Sequence, residues 1–216
     1  MSRTLQGLSF AFCLAMLGAV TAQASPLLSN PGFESPMPDP QTSVGNWFLF
    51  GSAPQGTAAQ SVEMPRSGLS HVSLELDGTN QFAGVFQDLP ILVLPGQTVI
   101  FSGWSRNASG SPFAATQELK LEWSGAPWDQ QLSTLLGSSY ERFEFVGVAP
   151  EGTTGVRVTY AISSFGAGQG DARVFIDDFH AAVVPAPGSL ALVGLGLAGL
   201  ALRRRANRRA TPIAAF

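Results

Sequence analysis

Between Asn46 and Ala182, segment after segment places apolar residues at alternate positions, and that period limits what the chain can fold into more than any other feature. His71-Val72-Ser73-Leu74-Glu75-Leu76-Asp77 places Val72, Leu74 and Leu76 on one side. Gln117 to Trp123 places Leu119, Leu121 and Trp123 opposite Glu118, Lys120 and Glu122, and Gly155 to Ile162 aligns Val156, Val158, Tyr160 and Ile162. A two-residue period belongs to a strand with one buried face. The same reading gives strands at Asn46–Phe50, Ala58–Met64, Phe82–Leu89, Thr98–Arg106, Arg142–Val148 and Ala172–Ala182. Turn signals separate them at Asp77-Gly78, Leu94-Pro95-Gly96, Ala149-Pro150-Glu151-Gly152 and Gly166 to Gly170. No amphipathic helix longer than two turns and no internal repeat interrupts this order. Strands so spaced make a β-sandwich or a barrel, with phenylalanine filling much of the core.

The two ends have a different character. Arg3, the apolar run Leu5 to Val20 and the small-x-small site Ala22-Gln23-Ala24 compose a secretory signal peptide, residues 1–24. The only cysteine, Cys13, lies inside it, so the mature chain enters an oxidising compartment without disulfides. All fifteen acidic residues but only six of the twelve basic ones lie in the body, leaving it near −9 although the whole chain is −3. An acidic body does not suit nucleic acid, which requires a basic patch. At the other end, Gly188 to Leu202 is uncharged, and Arg203, Arg204, Arg205, Arg208 and Arg209 follow. A short apolar helix backed by arginines holds that end in the cytoplasm and the body outside. Gly194-Leu195-Gly196-Leu197-Ala198-Gly199 fits a dinucleotide fingerprint but lacks the βαβ unit that such a site needs. Close helix packing in lipid is the better reading of these glycines.

Pro185-Ala186-Pro187, the apolar run and the arginine cluster together resemble the PEP-CTERM sorting signal, here residues 183–209 with a tail at 210–216. The resemblance implies recognition by exosortase, an inner-membrane enzyme that cleaves near the Pro-Glu-Pro motif. It further implies delivery to the outer surface or matrix of a Gram-negative bacterium that makes exopolysaccharide. The family's central Glu is Ala186 here.

The body, residues 25–182, carries a second resemblance in an ordered set of segments. Leu28-Ser29-Asn30-Pro31-Gly32-Phe33-Glu34 is followed by Asn46-Trp47-Phe48, Ser67-Gly68-Leu69-Ser70-His71-Val72, Val85-Phe86-Gln87-Asp88-Leu89-Pro90 and Leu94-Pro95-Gly96-Gln97-Thr98. Tyr140-Glu141-Arg142-Phe143, Ala149-Pro150-Glu151-Gly152 and Val174-Phe175-Ile176-Asp177-Asp178-Phe179 complete it. The series is similar to galactose-binding-like jelly rolls, above all to carbohydrate-binding modules of the cellulose- and xylan-binding kind. That resemblance implies an all-β jelly-roll sandwich. It also implies a structural calcium held by Glu34 and by Asp177 or Asp178. Because successive strand side chains point to opposite faces, only one of the two aspartates is expected to bind, with Asp177 preferred.

Sugars stack on aromatic faces while polar groups read their hydroxyls. Trp47, Trp104 and Trp123 fall in alternating strands and are expected in the core. Trp128 lies in a polar, turn-rich stretch, so Trp128, Asp129 and Gln130, with Gln131 beside them, form the candidate ligand contact. The mature chain contains no Cys nucleophile, no G-x-S-x-G and no H-E-x-x-H. The expectation is a non-catalytic protein that binds extracellular polysaccharide or builds the matrix. A protein-binding adhesin and a small glycan hydrolase are the alternatives.

Overall fold

The alternating segments become strands, and their apolar faces close on each other. In a computed structural model, described over residues 27–37 and 46–184 and at positions 196, 197 and 200, ten strands form two five-stranded antiparallel sheets. The strands are β1 (Phe48–Gly51), β2 (Gly56–Ser61), β3 (His71–Leu76), β4 (Phe82–Asp88), β5 (Thr98–Asn107), β6 (Thr116–Ser124), β7 (Asp129–Ser133), β8 (Glu141–Val148), β9 (Gly155–Ser163) and β10 (Ala172–Val184). One sheet runs β1-β4-β9-β6-β7 and the other β2-β3-β10-β5-β8. The molecule is an all-β sandwich, as expected. The signal peptide and most of the sorting segment lie outside the described residues, and no helix among those described is long and apolar enough to cross a membrane.

Three departures from the sequence reading have physical causes. First, β7 was not foreseen, because Asp129-Gln130-Gln131-Leu132-Ser133 has no apolar face. It is an edge strand held to β6 by backbone pairing from Gln117↔Ser133 to Leu121↔Asp129, which requires no hydrophobic side chain. Second, the strand expected at Ala58–Met64 stops at Ser61, and residues 62–70 leave it to cross the outer face of the second sheet. Third, β10 does not alternate throughout. Its pairing with β5 shifts register between Asp177 and His180, and Asp178 takes a left-handed φ of 49°. This is a β-bulge, which bends a strand and re-aims its side chains.

The core is rich in rings. Phe179, just past the bulge, stands 5.2–5.9 Å from Phe33, Trp47, Phe101, Phe143 and Tyr160. Gly103 makes room for this cluster, since a Cβ there would lie 2.4 Å from Phe179 and 2.7 Å from Phe143. Trp47 and Trp123 are buried as expected, and the Trp47 indole N–H donates to the Asn30 carbonyl at 3.0 Å. Trp104 is not in the core. It is half-buried on the outer side of the second sheet, with the Arg66 guanidinium 3.9 Å above its ring.

Candidate functional site

The two sheets differ in what covers their outer faces. On the second sheet, residues 62–70 form a strap. The backbone N–H groups of Arg66 and Ser67 donate to Asp177 Oδ2 at 2.9 and 3.2 Å, and those of Leu69 and Ser70 to Glu34 at 2.9 and 3.3 Å. The Ser67 hydroxyl donates to Asp178 at 2.8 Å, Arg66 forms an ion pair with Asp178, and Tyr140 donates to the Met64 carbonyl at 3.2 Å. His71 and Phe175 lie fully buried on this face with ring centroids 4.3 Å apart. Burial depresses the His71 pKa to about 4.

Among the described residues no segment crosses the outer face of the first sheet, which divides into two halves. On β1 and β4 it is aromatic. Phe48 and Phe86 stack at 4.9 Å, Phe50 lies 5.9 Å from Phe86 and 6.2 Å from Phe82, and Phe165 follows at 6.4 Å from Phe82. Gly84 seats Phe50, since a Cβ there would come within 2.5 Å of its ring. On β9, β6 and β7 the same face is polar. Arg157 donates to both oxygens of Asp88 at 2.7 and 3.2 Å, lies 3.8 Å over Phe86 and approaches Glu122 at 3.9 Å. Thr159 donates to Glu122 and Ser163 to Glu118, each at 2.6 Å, and Lys120 pairs with Glu118 at 2.7 Å. The hydrogen bond with Asp88 raises the Arg157 pKa further above its ordinary value. Register aligns the halves, Phe48 with Phe86, Thr159, Lys120 and Gln130 across five strands. Neighbouring strands are about 4.8 Å apart, so the face spans roughly 20 Å. That is the length of a short run of sugar rings.

The proposed ligand residues divide between this face and another. Gln130 stands on it, opposite Lys120. Trp128 is 64% exposed just before β7, at the end of the sheet where Glu122 lies. Asp129 does not join them. It sits opposite core-facing Leu121 and accepts the Trp123 indole N–H at 3.2 Å, which holds it at the edge of the sandwich. Tryptophan as the marker of a sugar platform does not point to the phenylalanine patch, which contains none. A signal was available: Trp47-Phe48-Leu49-Phe50 and Phe82-Ala83-Gly84-Val85-Phe86 are apolar at both alternating positions. An apolar second face needs a reason beyond the core.

Glu34, Asp177 and Asp178 do gather in one place. A Cβ on Gly32 would lie 3.5 Å from Asp178 Oδ1, 3.7 Å from Glu34 Cγ and 4.0 Å from Asp177 Oδ1. The geometric ground for expecting only one aspartate to bind, that successive side chains point to opposite faces, does not hold here, because the bulge brings Asp178 to the side of Asp177 and both accept from Ser67. Asp177 is fully buried, and burial, aided by Asp178, pushes its pKa up to about 6. Among the described residues no three acidic, histidine or cysteine side chains already form a metal cluster. All three carboxylates are oxygen donors of the kind a hard cation takes, but Asp177 already accepts three amide N–H groups, Glu34 two, and Asp178 is held by Arg66 and Ser67, so a cation would have to share or replace these partners.

Comparison with solved structures finds the same fold. The carbohydrate-binding module TmCBM61, solved with β-1,4-galactotriose, is 19% identical with a TM-score of 0.51, over 74% of this chain and 99% of that one. The enzymatically active domain of tailspike protein 4 from bacteriophage CBA120 is 15% identical with a TM-score of 0.54, over 74% of this chain and 21% of that one. A cyclase from Fischerella sp. TAU is 14% identical with a TM-score of 0.52, over 74% and 96%. A comparison with curated proteins gives no match. Residues 183–205 match the PEP-CTERM protein-sorting motif, so the chain joins a β-sandwich, the fold it shares with these structures, to a PEP-CTERM sorting motif.

Proposed function

We propose that this is an exported, non-catalytic glycan-binding protein, sorted through the inner membrane to the outer surface or extracellular matrix of a Gram-negative bacterium. The observation that carries the reading is the two-halved outer face of the first sheet. Aromatic rings there offer the C–H faces of sugars a surface, and the adjoining lattice of Arg157, Thr159, Lys120 and Gln130 offers hydrogen bonds to their hydroxyls. Trp128 extends the contact at the far end. The carboxylates on this face support binding over hydrolysis. Asp88, Glu122 and Glu118 are each engaged by a cation, and Glu122 and Glu118 also accept from a hydroxyl, whereas a glycosidase needs an acid and a base of separated pKa. Affinity electrophoresis against neutral β-linked glucan, xylan and galactan tests this. Retardation by at least one is expected, and migration unchanged by all of them would overturn the reading.

The sorting half has its own test. Exosortase-type processing near Pro185–Pro187 predicts that intact mass of the protein from its native host gives a species running from Ser25 to about residue 186, outside the inner membrane. A species that keeps Arg203–Arg209 in the inner membrane would make the tail a plain anchor.

Calcium is proposed as a structural ligand of Glu34 and Asp177, with Asp178 beside them, pinning the first and last elements of the body. Extracellular calcium sites bind at about 0.1–1 mM. Calcium at 1 mM is about one- to tenfold over such a Kd and adds about 0.4–1.4 kcal/mol, or roughly 1–6 °C in Tm for a domain of this size. Millimolar CaCl2 should raise Tm by that order in the wild type and by much less in Glu34→Gln. Identical melts in CaCl2 and EGTA would remove calcium from the account.

A further inference from the structure

The sorting segment begins inside the fold. Val183 and Val184, the first two residues matched by the motif, are the last of β10, paired with Val99 and Thr98 of β5. Only Pro185-Ala186-Pro187 separates this strand from the apolar run that starts at Gly188. Three residues reach at most about 11 Å, and the polar zone of each leaflet is about 5–8 Å thick. While the tail is in the bilayer, the end of the sandwich that holds Val184 stays within about 3–6 Å of the headgroup zone even if these residues are fully extended.

That end is apolar. Val184 and Val148 flank Thr98 from the two neighbouring strands, and Ala182 and Val146 flank Ile100 in the same way. The turn before β5 joins them, with Gly96 N–H donating to the Ala149 carbonyl and Ala149 N–H to the Gln97 carbonyl, both at 2.8 Å. Leu92 and Leu94 stand out from this turn. Leu92, Leu94, Val146, Val148 and Val184 are each 44–64% exposed. Residues 90–103, 145–150 and 179–184, which meet here, contain no Asp, Glu, Lys or Arg. Scattered exposed apolar residues are ordinary, whereas a contiguous uncharged patch marks a contact surface.

We propose that this rim is a membrane-docking surface, seated in the outer leaflet of the bilayer that holds the tail. It fixes the sandwich upright on the membrane before processing and presents Pro185–Pro187 at headgroup depth. The inference rests on the sorting reading, since it needs the tail to be inserted.

The test uses the mature chain from Ser25, which has no cysteine of its own, with one new cysteine at Leu94, Val148, Leu132 or Leu197, each carrying an environment-sensitive fluorophore. The protein is reconstituted in vesicles of phosphatidylethanolamine and phosphatidylglycerol containing doxyl-labelled phosphatidylcholine. Labels at 94, 148 and 197 are expected to shift to the blue and to be quenched by the doxyl lipid, about twofold or more beyond the label at 132. Quenching at 197 with labels at 94 and 148 still in water would overturn docking and leave the anchor intact. No quenching at 197 would defeat the anchor, and docking with it. A blue shift at 94 and 148 that grows with protein concentration and ignores the doxyl lipid would mean self-association, and would also overturn the proposal.

Discussion

Removing Phe82 and Phe165 together is expected to weaken binding of the tightest neutral β-glycan by roughly 30- to 150-fold while leaving the fold intact. Both rings are exposed, Phe82 by 38% and Phe165 by 60%, and they lie at the open end of the aromatic ridge. Their loss therefore opens no cavity, and Tm should move by less than about 2 °C. A ring stacked on a sugar contributes on the order of 1–1.5 kcal/mol, two rings about 2–3 kcal/mol, and each 1.4 kcal/mol is a factor of ten. Trp128→Ala is expected to cost about five- to tenfold on the same scale. Asp129→Ala should cost almost nothing, because its carboxylate is turned to Trp123 at the sandwich edge. Isothermal titration of the four proteins against one polysaccharide separates these outcomes. Wild-type affinity in Phe82→Ala/Phe165→Ala, with affinity lost in Asp129→Ala, would move the site off this face and onto the edge between β7 and β8.

The ranking of those variants reflects what alternation can and cannot reveal. It identifies strands by their alternating apolar positions, and it locates nine of the ten. It is silent on β7, whose residues bury neither face, and so Asp129 and Gln130 looked like neighbours in a loop. As residues of an edge strand they point to opposite sides. Alternation also misleads where a bulge intervenes. Asp177 and Asp178 should diverge, yet the left-handed Asp178 returns the second carboxylate to the strap that the first one holds. The phenylalanine ridge was concealed for a different reason. Phe48 and Phe50 are no less apolar than Phe101 or Phe143, and only the order of the strands shows which of them have no opposing sheet. The tail was the most legible part, because a proline motif, an apolar run and an arginine cluster act through composition and order alone.

Phe179→Ala is expected to be the most destabilising single truncation, and it should leave the glycan face untouched. Phe179 meets five aromatic partners at 5.2–5.9 Å and is 3% exposed. Those partners come from unrelated parts of the chain. Phe33 and Trp47 belong to the segments before β1, Phe101 and Phe143 to the second sheet, and Tyr160 to the first. Loss of the ring removes buried surface, leaves a cavity, and deprives five rings of an edge or face partner. Such truncations cost about 3–5 kcal/mol, or roughly 6–20 °C in Tm. Collapse around the cavity is restricted, because Gly103, against which Phe179 packs, has no side chain to move into the space. Phe179→Leu should recover about half of the loss by restoring volume without the edge-to-face geometry. Calorimetry of the two variants decides it, and a drop of less than about 2 °C for Phe179→Ala would mean that the sheets close without this cluster. Glycan affinity measured well below the lowered Tm should match the wild type, since Phe179 points into the sandwich and the ridge lies outside it. An affinity that fell in step with stability would show instead that the ridge is held in shape by the same rings that close the core.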